Sequence, residues 1–299
     1  NISGSEGLVA AGNIFMGMTE SPVLIKNYLP TMNRSEIFLV MVSGMGTIAG
    51  SVMGTYIGML GGTDPASKVL FATHLLSASV MAVPGSIVLA KMLCPQTEEA
   101  TDHVAVSGKE KENSNILDAI SSGTVTGVKL MTNIAAMLLV FISLVALANY
   151  VTEDVIGRYT GLNDWIVQIS DGKAKGLTFQ FILGVITAPF MWLIGVPGQD
   201  IMLVGSLLGQ KTILNEFVAY FQLQQWKDAG LFMYEKSILM STYILCGFAN
   251  ISSIGILLGG LGVLAPEKRG LISRIGVPAM IGGALVSVLS ATIIGMILG

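Results

Sequence analysis

Two glutamates, Glu20 and Glu216, interrupt stretches that are otherwise largely apolar, Leu8–Leu29 and Ile201–Phe221. A carboxylate at membrane depth costs about 2.5–3.5 kcal/mol on insertion scales, so each needs an offsetting partner. Two readings meet that need. Each glutamate delivers an acceptor or a titrating group to one central site, or each caps a hairpin tip or pairs with nearby Lys26 or Lys211. Asn13 and Thr47 are neutral oxygen donors beside helix breaks. Such side chains, with unwound backbone carbonyls, coordinate Na+ in transporters; they also serve as plain interhelical hydrogen bonds. Phe248, Asn250 and Ser253 lie on a further break. Asn and Ser both donate and accept, which suits a polyhydroxylated ligand with Phe248 as its apolar wall. The same residues would also simply end a helix and line a packing interface.

Other chemistry finds no support. His74 and His103 are isolated, with no Cys or His at metal-ligand spacing, and Cys94 and Cys246 read as small hydrophobes beside apolar runs. Gly44, Gly46 and Gly50 miss the dinucleotide spacing because position 49 is Ala and no strand precedes them. There is no nucleophile–base set and no phosphate-binding loop, so an enzyme is not expected, nor any cofactor. The balance of 16 basic and 19 acidic residues offers no basic face for a nucleic acid.

Composition dictates the elements that must position these side chains. Of 299 residues, 52% are hydrophobic and 12% charged, about half the charge of a soluble domain. The apolar runs are continuous and do not alternate, so the expectation is an all-α integral membrane protein in a lipid bilayer. Leu70–Leu93 and Val128–Val151 each exceed the roughly 20 residues that a hydrocarbon core requires. Ile37–Leu60 and Ile238–Leu264 are as long but are broken by Gly, Ser, Thr and Asn, and Ile275–Leu298 ends the chain. In each glutamate-bearing stretch, two apolar pieces of about ten residues flank the tip. Such a piece rises only about 15 Å, so a re-entrant hairpin is expected. Pro95–Asn115 and Arg158–Lys175 read as solvated loops, and Leu177–Ile194 as an interfacial or peripheral helix, with Trp165 and Trp192 near headgroup level.

The order of these pieces repeats. Gly4-Ser5-Glu6 with Gly17 and Glu20 matches Gly198-Gln199-Asp200 with Gly209 and Glu216, and Gly44–Gly50 aligns with Gly247–Ser253. Each half reads hairpin, broken helix, long helix, around one unpaired central span. An odd number of crossings inverts the second half relative to the first, the arrangement of secondary transporters with solute at the repeat interface. The expected organisation is residues 1–94 as the first repeat, 95–176 as polar loop, scaffold helix and second loop, and 177–299 as peripheral helix and second repeat. Nine Lys and Arg fall on one side against six on the other, which puts the first hairpin's mouth in the cytoplasm. The opening Asn1-Ile2-Ser3, with neither Met nor signal peptide, is what the later part of a longer protein would show.

Four ordered motifs carry a resemblance: Gly12-Asn13-Ile14-Phe15-Met16-Gly17-Met18-Thr19-Glu20-Ser21-Pro22, Thr47-Ile48-Ala49-Gly50-Ser51, Asn215-Glu216-Phe217-Val218-Ala219 and Gly247-Phe248-Ala249-Asn250-Ile251-Ser252-Ser253-Ile254-Gly255. With them, essentially the whole chain resembles the concentrative nucleoside transporter family. The resemblance implies a cation-coupled symporter of nucleosides in the bacterial inner membrane, multi-pass and a homotrimer, with Na+ or H+ as coupling ion. It implies that Thr19 and Glu20 face the nucleobase with Val52 nearby, and that Glu216, Asn250 and Ser253 hold ribose hydroxyls beside Phe248. Asn13 and Thr47, with the carbonyls of Met16 and Ile48, would match the family's sodium site. One position departs: Met18 stands where the family carries Gln, a thioether in place of a base-edge hydrogen-bonding group.

Overall fold

The computed structural model describes residues 2–99, 115–170 and 174–299, and the regular elements among them are helical. In chain order the α-helices are α1 (Gly4–Gly12), α2 (Arg34–Gly46), α3 (Gly50–Gly61), α4 (Pro65–Leu93), α5 (Ile116–Asn149), α6 (Arg158–Thr160), α7 (Leu162–Ile169), α8 (Phe179–Leu193), α9 (Ile201–Ile213), α10 (Glu216–Asp228), α11 (Glu235–Leu245), α12 (Ile251–Leu264) and α13 (Arg269–Ile297). The chain forms two compact units, residues 1–104 with 182–299, and residues 105–181.

Local chemistry sets the boundaries in the larger unit. Ser3 and Glu6 form a reciprocal capping box that starts α1, and Asn33 with Glu36 does the same for α2. Asp64 accepts from the amides of Ala66 and Ser67 ahead of Pro65, whose fixed φ suits a first helical position. Asn215 caps α10 through the amide of Val218, and Asn250 caps α12 through that of Ser253. Residues 8–29 fold as α1, a tip at 13–20, and a 3₁₀ segment Ser21–Ile25 led by Pro22. The second hairpin is α9 and α10 around Leu214 and Asn215. Both long broken stretches end one helix and begin another, at residues 47–49 and 246–250.

α13 packs on α2, α4, α11 and α12. Small residues let it come close: a Cβ on Gly283 would lie 2.7 Å from Met45 Cβ, and one on Gly282 2.8 Å from Val42, the close backbone approach typical of membrane helices. One buried cluster runs through α1, α2, α12 and α13, and another through α3, α4, α9, α10 and α11. Among the described residues, three stretches are long and apolar enough to cross a bilayer: Arg34–Gly61, Pro65–Leu93 and Pro266–Ile297. The first is largely enclosed by protein, the other two mostly exposed.

The smaller unit departs from expectation in two places. The helix expected from Val128 begins at Ile116, capped by Asn115, and runs on through a π-helical stretch Tyr150–Gly157. Residues 162–169, expected as loop, are helical, with Leu162, Trp165, Ile166 and Ile169 at helical spacing and Ile166 buried. Much of the polar loop expected at Pro95–Asn115, with His103, lies outside the described residues. Cys94 is half-buried rather than enclosed, while Cys246 is buried.

Candidate functional site

The two hairpin tips and the two helix breaks meet. Phe15 at the first tip accepts from the Gly50 amide at 3.0 Å, which ties that tip to the first break. Thr47 at the first break accepts from the Phe248 amide at 3.2 Å, which ties the breaks to each other. Glu216 at the second tip is 7% exposed, and its Oε2 accepts from Asn250 Nδ2 at 3.0 Å, which ties the second tip to the second break. Its Oε1 accepts from the Tyr56 hydroxyl of α3 at 3.2 Å. Glu216 thus bridges elements from both ends of the chain.

Each partner has its own support. Tyr56 stacks on Tyr220 with ring centroids 4.1 Å apart, and the Tyr220 hydroxyl donates to the Thr242 carbonyl at 2.9 Å. Asn250 Oδ1 accepts from the amide and hydroxyl of Ser253 at 2.9 and 3.0 Å, and from the Ser252 hydroxyl at 2.6 Å. With Oδ1 so occupied, the Asn250 amide nitrogen must face Glu216, which fixes its orientation. Phe248 is half-buried and packs against both apolar clusters. Val52, also half-buried, packs against the second.

The first tip holds the remaining residues. Asn13 is fully buried; its Nδ2 donates to Ser43 Oγ at 3.0 Å, and its Oδ1 accepts from Ser21 Oγ at 2.6 Å. Thr47 Oγ1 donates to the Ser43 carbonyl at 3.0 Å. The carbonyls of Met16 and Ile48 accept no hydrogen bond among the described residues. Met18 is buried with its Cβ against Gly44, and Thr19 packs on Gly260 of α12. Glu20 is exposed at the tip; its carboxylate lies over Gly17 and makes no hydrogen bond or ion pair to Glu216, Lys26 or any other described residue, while its backbone amide donates to the Gly17 carbonyl at 3.1 Å. Nor does Lys211 pair with Glu216; it binds the Ile244 carbonyl and Ser287 instead. Sequence reasoning missed Tyr56, Ser43 and Ser287. Tyr56 meets Glu216 across 160 positions, and nothing local marks it.

A family model described as "Na+ dependent nucleoside transporter C-terminus" matches residues 74–295. The chain belongs to this nucleoside transporter family. An uncharacterized transporter of Haemophilus influenzae is 39% identical over 99% of the chain and 67% of its own length. Sodium/nucleoside cotransporter 1 of Rattus norvegicus is 39% identical over 99% of the chain, which spans 44% of that relative. The solved structure of the transporter CNTnw, in an inward-facing substrate-bound state, superposes with a TM-score of 0.82 at 35% identity, over 99% of the chain and 65% of its own. The family is one of transporters, not enzymes, and with its apolar helices this nucleoside transporter relative is a membrane protein.

Proposed function

We propose that the protein carries nucleosides across the cytoplasmic membrane of a bacterium by cation-coupled symport, in a homotrimer. The observation that carries the reading is the meeting of Glu216 and Asn250 where both unwound breaks abut. A carboxylate flanked by a hydroxyl and an amide is suited to vicinal hydroxyls: it accepts, while Asn250, Ser252 and Ser253 add neighbouring groups that both donate and accept. Phe248 and Val52 supply apolar area for a base, and Thr19 and Glu20 polar edges beside it.

For the coupling ion, Asn13 Oδ1, Thr47 Oγ1 and the Met16 and Ile48 carbonyls form a set of neutral oxygens beside a helix break, which suits Na+. The rat relative named as a sodium cotransporter supports Na+ ahead of H+. A monovalent cation gains about 2.3 kcal/mol per 100 mV of membrane potential, roughly fiftyfold in accumulation at 1.4 kcal/mol per decade. A neutral solute is concentrated on that alone. The matching order of hairpin, broken helix and long helix in residues 1–94 and 177–299 supports two inverted halves around the central span.

Met18 favours a second reading within the same scaffold. Its buried thioether offers a base edge only a weak acceptor and no donor, so a modified nucleoside or another neutral polar solute would fit. The test is uptake of labelled uridine into vesicles holding the full-length protein, under an imposed Na+ or H+ gradient, one at a time, with a panel of competing nucleosides. Gradient-driven uptake that nucleosides compete away is expected. Uptake indifferent to both gradients, or to every nucleoside, would overturn the reading.

A further inference from the structure

Lys211 lies on α9, at the second hairpin, with none of its surface exposed. Its ammonium donates to the Ile244 carbonyl at 2.8 Å and to Ser287 Oγ at 2.9 Å. Ser287, on α13, donates in turn to the Cys246 carbonyl at 2.9 Å. Those carbonyls belong to the last turn of α11 and its capping residue. The end of α2 is packed against the same spot. A Cβ on Gly247 would stand 2.9 Å from the Met45 carbonyl oxygen, 3.0 Å from that of Gly46, and 2.9 Å from Ser287 Oγ.

Two helix carboxyl ends, one from each half of the chain, therefore meet inside the protein at an unwound segment. Each such end carries roughly half a negative charge, and a low-dielectric interior strengthens the repulsion between them. Among the described residues Lys211 forms no ion pair; its ammonium is spent on carbonyl and hydroxyl oxygens. We infer that Lys211 is a tethered cation that neutralises the joined carboxyl ends of α2 and α11 and thereby fixes the unwound segment presenting Phe248 and Asn250. It is a positioning residue, and the inference rests on the proposed uptake function because those two side chains bind the solute there. The first break is served by an exchangeable ion in that reading; the second carries its cation covalently.

The test uses Lys211→Ala and Lys211→Met in the full-length protein in vesicles, each shown to be folded by thermal melting. Loss of the cation raises the KM for nucleoside by about tenfold, the worth of one charge-assisted hydrogen bond. The Ala variant leaves room for the missing propyl ammonium group, so n-propylammonium chloride lowers its KM again while leaving the Met variant and the natural protein unchanged. A Met variant with the natural KM, or an Ala variant indifferent to propylammonium, overturns the inference. Should neither variant fold, Lys211→Arg and Lys211→Gln decide: retention of uptake by Arg alone supports it, and equal loss in both refutes it. Vesicles of the natural protein that take up no nucleoside count against the proposed function instead; the tethered cation is then judged by whether propylammonium raises the melting temperature of the Ala variant.

Discussion

Replacing Glu216 by Gln tests the site with little disturbance of the fold. The carboxylate accepts from two donors that differ in freedom. Asn250 Nδ2 can only donate, whereas the Tyr56 hydroxyl can rotate and accept. A Gln side chain therefore places its oxygen on Asn250 and its amide nitrogen on Tyr56, so both protein contacts survive as neutral hydrogen bonds. The loss falls on the ligand, whose hydroxyls meet an amide in place of a charge. Hydrogen bonds to charged groups contribute about 1.5–3 kcal/mol, and at 1.4 kcal/mol per decade the expected fall in nucleoside affinity is about 10- to 150-fold. The assay is binding of labelled uridine to purified protein by equilibrium dialysis, with thermal melting in parallel. Affinity within about twofold of natural, on a protein with an unchanged melting temperature, would refute the assignment of Glu216 to the ligand. A large drop in melting temperature would refute the claim that the amide satisfies both partners.

Three further outcomes are expected. Tyr56→Phe removes one donor to Glu216 and leaves the ring stacked on Tyr220, so the KM for nucleoside uptake rises by up to about tenfold while the melting temperature barely moves. Lys91→Met strands the fully buried Glu6 carboxylate, now paired at 2.6 Å, and destabilises the protein by about 3–5 kcal/mol in denaturant unfolding; adding Glu6→Gln recovers part of that loss. Gly247→Ala forces a Cβ into a backbone at φ 149° against two carbonyls and Ser287, a strain of about 1–3 kcal/mol, read as a lower melting temperature together with lost uptake.

Much of this architecture is written locally. The runs Gly44–Gly50 and Gly247–Ser253 are poor in helix formers, and Asn250 and Asn215 are strong caps, so the breaks fall where composition places them. The start of α5 is not legible in the sequence because residues 116–127 are rich in Ser, Thr and Gly. In the structure Thr124 folds its hydroxyl back on the Ile120 carbonyl at 2.8 Å, which shields it within the helix rather than breaking it. The environment of Glu216 was legible only in part. Asn250 stands on a visible break, but Tyr56 is one aromatic in an apolar helix, and its role comes from tertiary packing. From the sequence Lys211 stands only as an alternative partner for nearby Glu216, whereas folding brings it to a carbonyl 33 positions away and to a hydroxyl 76 positions away.

Each hairpin is also fastened at its root by a buried acid. Glu6 binds Lys91 of α4, and Asp200 accepts from the amides of Met233 and Tyr234 at 3.0 and 3.1 Å. The second hairpin is therefore held at both ends, at its mouth by Asp200 and near its tip by Lys211. The 13-residue arm α9 is about 20 Å long, so a swing of about 10° carries its far end about 3 Å. In the proposed transport function, travel of that size would part the single hydrogen bond between Glu216 and Asn250 only together with the Tyr56 and Lys211 contacts, so the tip and its buried cation would have to move as one piece.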